Sequence, residues 1–300
     1  MKIYYPFYYK DFGCIADRCR HSCCVGWEIS VDGCTLEKYR TLAPAERDEI
    51  LSHIGEGVGV ILGEGERCPF LRCDGLCRLI AEWGDEYISH ICREHPRFYH
   101  RVGERIECGI GASCEEACRV ILSSDCYSDF YSVETGEREI ADECDFDTLS
   151  HREYIYSILA DGSIPYRKKL SLIKEKYEID DALFGAERWN GIFAELEYLN
   201  DAHRGVISVG KSSVQEALYP YFERFFAYLV FRHLTIAESY DGLRARLAFC
   251  LLLLAALENA SSVCQCDFET VCDKARIISE EIEYSEDNTA ELIFEIECLI

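Results

Sequence analysis

Apolar positions recur at helical spacing through the second half of the chain. PYRKKLSLIKEKY, NGIFAELEYLNDA, SSVQEALYPYFERFFAYLVFRHL, DGLRARLAFCLLLLAALENA and DFETVCDKARIISEEIEY each read as helix, with a kink expected at Pro220. The longest apolar run, LAFCLLLLAAL at 247–257, falls short of the roughly 20 residues that a membrane-spanning helix needs, so it reads as a buried helix. The first half is patterned differently. GWEISVD alternates like a short strand, while VGVILGEGERCPFL and FYHRVGERIECG read as hairpins around glycine turns. DEYISHICREH has helical spacing that stops at Pro96, and Ser113 with Glu116 forms a capping-box pattern that opens a helix carrying Cys114 and Cys118 one turn apart. The expected fold class is mainly α with small β-hairpins.

With 300 residues, 49% of them hydrophobic and 12% aromatic, the chain can bury one large core or two modest ones. Cysteine suggests where to divide it. Fourteen of the 19 cysteines lie from Cys14 to Cys144, none lies between Asp145 and Phe249, and five follow from Cys250. The expected organisation is a cysteine-rich metal-binding unit at 1–145 followed by a helical, bundle-like unit at 146–300.

The formal charge is −24, from 55 acidic and 31 basic residues. Affinity for nucleic acid rests largely on Lys and Arg neutralising phosphates, so neither a nucleic acid nor a membrane is expected as partner. A basic protein surface suits this chain better. One segment runs against the charge: CREHPRFYHRVGER gathers Arg93, Arg97, Arg101 and Arg105 with His95 and His100 beside Cys92, a setting for an anionic group. The opening MKIYYPFYYKDF has no apolar run of signal-peptide length, which points to the cytoplasm, where thiols stay reduced.

The cysteines fall in groups: Cys14-x4-Cys19-x3-Cys23-Cys24, Cys68-x4-Cys73-x3-Cys77, Cys92, and Cys114-x3-Cys118. Separated thiols of this kind gather around tetrahedral zinc or an iron-sulfur cluster, and spacing alone leaves both open. The C-x2-C knuckle usual in zinc fingers does not occur. Cys250, Cys264, Cys266, Cys272 and Cys298 read as small buried apolar residues. GEGVGVILGEGE has the glycines of a nucleotide-binding turn, but a helix-like segment precedes it and a cysteine group follows, so it reads as a hairpin loop.

FGCIADRCRHSCCVGWEISVD, CPFLRCDGLCRLIAEWGDEYISHICREHPR and SCEEACRVIL resemble, in order, three blocks of the flagellin lysine-N-methylase (FliB-type) family. The first two also resemble a broader group of zinc- or iron-chelating cysteine-cluster proteins. In the third block Glu115 and Cys118 stand where the family usually has Pro and Ala. The resemblance implies transfer of methyl groups from S-adenosylmethionine to lysines of flagellin or another protein substrate, by a protein carrying an iron-sulfur cluster, expected as 4Fe-4S with zinc as the alternative. Carried over by position, it implies Cys14, Cys19, Cys23, Cys24, Cys68, Cys77, Cys92 and Cys114 as metal ligands, and Arg97 as a cofactor contact or a helix cap. Cys34, Cys73, Cys108, Cys118, Cys126 and Cys144 lie outside the family pattern. Two function classes follow: a protein lysine methylase, or a non-enzymatic metal-binding or electron-transfer module built on the same cysteines.

Overall fold

The first strand of the chain ends up inside its sheet. In the computed structural model, which describes residues 2–103, 105–134, 146–211, 213–262 and 266–300, β1 (Lys2–Pro6) lies between two strands that come more than a hundred positions later. It pairs in parallel with β3 (Arg105–Ile110), Ile3 opposite Ile106, and antiparallel with β4 (Phe130–Glu134), Ile3 opposite Val133. The sheet is completed by β2 (Arg97–Val102), giving the order β2-β3-β1-β4. Gly103, at φ +56°, begins the short turn between β2 and β3, the hairpin expected in that segment. GWEISVD and VGVILGEGERCPFL join no sheet; they carry only single bridges such as Val25 to Arg67 and Ser30 to Gly59.

The chain forms two compact units. Gly13–Arg97 is one, and the flanking segments, up to Phe12 and from Phe98 to Ile300, make the other. Cysteine density therefore does not follow packing. The sheet and Cys108, Cys114, Cys118 and Cys126 go with the larger unit, whereas the sequence division had grouped them in 1–145. The physical reason is apolar area: Ile110, Cys118, Val120, Ile121 and Leu122 are buried in the same core as the later helices. Cys144 and Cys264 lie outside the described residues.

The smaller unit holds α1 (Gly33–Thr41), α2 (Pro44–Ser52), α3 (Arg78–Trp83) and α4 (His90–Glu94) around a core of Ile29, Val31, Tyr39, Ile50, Cys68, Phe70, Leu79 and Ile88. Asp32 caps α1 by accepting from Thr35 N at 3.0 Å, and it also accepts from His90 N at 2.8 Å, so one carboxylate ties the start of α4 to the start of α1. These bonds from His90 and Thr35 hold its pKa well below the usual carboxylate range.

The larger unit adds α5 (Glu115–Ser123), α6 (Thr148–Ala160), α7 (Tyr166–Lys176), α8 (Ala186–Glu195), α9 (Tyr219–His233), α10 (Tyr240–Ala260), α11 (Phe268–Ile278) and α12 (Glu286–Glu297). α10 is buried along most of its length, as LAFCLLLLAAL requires, and no described helix is long and apolar enough to cross a membrane. Pro220 does not kink α9; it sits in the first turn, where its missing N–H costs nothing. Ser113 is not the cap of α5 either: Cys114 takes that position without a side-chain bond. On β3, a Cβ at Gly109 would lie 2.4 Å from Phe98 and 2.6 Å from Phe231, so glycine there lets both rings close on the strand.

Candidate metal centre

Two short antiparallel contacts bring separated cysteines together in the smaller unit. Cys68 N donates to Cys24 O at 2.8 Å and Gly26 N to Glu66 O at 3.0 Å, which sets Cys24 beside Cys68. The chain then turns back on itself, with Arg72 N bonded to Leu76 O, Arg78 N to Phe70 O, and Gly75 at φ +81°. That return places Cys77 opposite Leu71, next to Cys68, and leaves Cys73 exposed. Cys92 arrives on α4, whose start Asp32 fixes.

Burial and neighbouring sulfurs shift the ionisation of these thiols. Burial pushes the Cys68 thiol up to about 12, aided by Cys24, Cys77 and Cys92. Cys77 and Cys92 are also raised, chiefly by burial, with Cys24 adding to both and Cys77 to Cys92, against the lowering effect of hydrogen bonds from the Ile80 and Leu79 backbone and from Ser89. Cys24 differs: a hydrogen bond from the Cys23 thiol, another from Ser22 and the charge of Arg67 lower it to about 7. Tyr39, buried on α1, is raised by its desolvation and by Cys92, Cys77 and Cys68, which places its ring against the same group. Thiols whose charges raise one another in this way, Cys24 and Cys77 acting on both Cys68 and Cys92, are groups that a bound cation would reconcile.

The other expected ligands are placed differently. Cys14 and Cys23 are exposed and Cys19 half-buried, its thiol donating to His21 O at 3.3 Å. Cys114 stands in the larger unit near Cys118, whose thiol donates to Cys272 O at 3.3 Å. Arg97 donates to Arg93 O at 3.3 Å in the last turn of α4, the capping bond that the sequence offered as one of its two roles.

A second polar assembly lies in the larger unit, where sequence reading singled out nothing. Glu283 is wholly buried; His233 Nε2 lies 2.7 Å from it, Tyr228 donates to it at 3.1 Å, and Arg232 Nε is 3.4 Å away. Burial alone would raise its pKa, but the Arg232 charge and the His233 bond outweigh that and hold it below its usual value. The signal for this group is faint: EEIE ends a helical run in a single π turn, Ser279–Glu283, that sequence periodicity does not reveal. A third group, His203, Glu280 and Glu281, lies within 4.8 Å, but its atoms are engaged: Glu281 accepts from Leu199 N and Asn200 N, and Glu280 from Arg276.

The architecture is that of a mainly helical protein with a cysteine-gathering unit inserted after its first strand. The chain is 31% identical over 130 residues to the flagellar biosynthetic protein FliU of Salmonella muenchen, across 39% of this chain and 75% of that protein. It is 32% identical to the lysine-N-methylases of Salmonella typhimurium and Salmonella choleraesuis, over 130 and 133 residues, again 39% of this chain. The chain belongs to this FliB-type flagellin lysine-N-methylase family. It matches 32% of the length of the two lysine-N-methylases. No family model matches the chain, and no solved structure does.

Proposed function

We propose that this protein is an S-adenosylmethionine-dependent lysine N-methyltransferase acting on flagellin or a similar protein, with an iron-sulfur cluster held by Cys24, Cys68, Cys77 and Cys92. The similarity to FliU and to the named lysine-N-methylases carries the activity. The convergence of four thiols from three of the family's cysteine groups supports the cluster, because four thiolates are the usual complement of one centre. Cys14, Cys19 and Cys23 stand outside that set, and Cys23 acts through its bond to Cys24. When bound, such a cluster would supply a compact anionic group with all its protein ligand positions filled by these four thiolates.

The chain's own residues define the rest. Cys24, already near neutrality in its ionisation, is the first thiol ready to deprotonate, and Arg67 stabilises its charge. The substrate lysine, with an ordinary pKa near ~10.4, must lose its proton before attacking the sulfonium methyl, so the site must desolvate the amine. The acidic surface suits a lysine-bearing partner. The test is anaerobic purification with iron and sulfide analysis, followed by incubation with flagellin and S-adenosylmethionine and mass spectrometry of flagellin lysines. A brown protein that adds methyl groups is expected. Zinc alone with no methylation leaves a metal-binding module in place of an enzyme.

A further inference from the structure

A cavity of about 530 Å³ opens in the larger unit between β2, the end of α9, α10 and α12. Two groups on its wall lack the partners that half-buried nitrogen normally has. The Arg246 guanidinium makes no hydrogen bond or ion pair among the described residues, and desolvation by the surrounding protein lowers its pKa against the opposing effects of Cys250, Glu297 and Glu238. His100 Nε2 is buried with no hydrogen-bond partner. Its ring packs against Phe98 at 4.9 Å and Phe231 at 5.7 Å, and burial lowers its pKa to about 4, so the imidazole is neutral.

Arg232, His233 and Glu283 also line the cavity but are engaged with one another, and beside them stand an apolar part and an acidic part. Phe98, Ile293 and Phe294 are apolar, and Phe294 is 59% exposed, a large ring left facing water. Glu286 and Glu297 on α12 bring negative charge to the same cavity. A ligand that matches this wall has a carboxylate for Arg246, a cation for the α12 glutamates, and an apolar or flat body between them. The other cavity of this unit, about 540 Å³, also has two arginines, Arg105 and Arg152, but both already bond Glu107, so neither awaits an anion.

We propose that this cavity binds an α-amino acid zwitterion carried on an apolar body, the chemistry of S-adenosylmethionine, with its carboxylate on Arg246. The choice of ligand rests on the methyl-transfer reading above; the carboxylate, ammonium and apolar requirements come from the wall. The assignment gives the methyl donor's carboxylate to Arg246 instead of Arg97.

The experiment is isothermal titration of S-adenosylmethionine and S-adenosylhomocysteine into the metal-loaded full chain, its Arg246→Met and Arg246→Lys variants, and Ala290→Trp, which adds a ring at an exposed position lining the cavity. Loss of a charge-assisted bond weakens affinity about ten- to a hundredfold, so Arg246→Met is expected to bind that much more weakly, Arg246→Lys to recover part of the loss, and Ala290→Trp to weaken both ligands. Unchanged affinity in Arg246→Met and Ala290→Trp, with the parent binding normally, overturns the cavity and leaves the methylase reading intact. A parent that binds as expected but methylates no lysine keeps the cavity and overturns the activity. No binding by the parent overturns both. Ala290→Trp, at the surface, keeps the test decisive if Arg246→Met does not fold.

Discussion

Arg152 Nη1 and Nη2 lie 2.6 and 2.8 Å from the two carboxylate oxygens of Glu107, and both side chains are almost wholly removed from water. The pair joins β3 to α6 across the edge of the large core. Removing Arg152 leaves the buried Glu107 with Arg105 as its remaining ion-pair partner, at a cost approaching the roughly 3–5 kcal/mol of a broken buried pair. Arg152→Met is therefore expected to lower urea-unfolding stability by that order, and the double change Glu107→Leu with Arg152→Met to recover much of it. A loss below about 1 kcal/mol in the single variant would show that the charge is solvated after all.

Acid should destabilise the protein in two stages. Burial lowers His95 and His100 to about 4 from an ordinary 6.5, so between those values the unfolded chain binds protons that the folded chain refuses. Stability rises with pH across that window, by at most about 3 kcal/mol for each histidine, and is lost as pH falls through it. Below the ordinary carboxylate range Glu107 and Glu283, both held low, add to the loss as they protonate. Denaturant midpoints measured from pH 7 to 4 check this, and His100→Gln should flatten the dependence for the larger unit.

Much of this arrangement is legible in the chain and some is not. Continuous apolar runs announce α9 and α10 because burial on all sides leaves no polar face to confuse the period. The cysteine groups mark the segment whose thiols the structure draws near one another, Cys24, Cys68, Cys77 and Cys92. What sequence hides is long-range pairing. Nothing local in KIYYP says that Ile3 will lie opposite Ile106, so the boundary of the small unit at Arg97 does not show in composition. Glu283 and Arg246 are hidden for the same reason: an acidic or basic residue inside an amphipathic helix reads as solvated until its neighbours are known. The placement of Cys77 and Cys92 likewise depends on the turn at Gly75 and the cap at Asp32, not on spacing.

Single cysteine changes should separate by place. Cys68→Ala, Cys77→Ala or Cys92→Ala is expected to abolish bound iron and its visible absorbance. Cys250→Ala, buried in α10, should keep the metal and cost on the order of 1 kcal/mol of packing. Equal metal loss from both groups, measured by iron analysis of purified variants, would disprove the four-thiol assignment.

Stripping the metal should not melt the whole chain. The small unit's core holds eight buried apolar residues, whereas the larger core runs through most helices from α5 to α12. Metal binding supplies folding energy to small thiolate sites, so chelation is expected to open Gly13–Arg97 while the larger unit persists. Hydrogen exchange with and without chelator reads this directly: amides of α1–α4 should lose protection and those of α10 keep it.

The central place of β1 carries a consequence for synthesis. The strand leaves the ribosome ahead of its partners: Ile106 and Val133, on either side of it, follow about a hundred residues or more behind. At bacterial or eukaryotic elongation rates that delay is on the order of ten seconds. During it the whole of Gly13–Arg97 emerges, thiols included, while β1 still lacks both neighbours. The nascent chain thus completes its cysteine-bearing segment before its sheet can close, so that segment can pack on its own ahead of the rest of the fold.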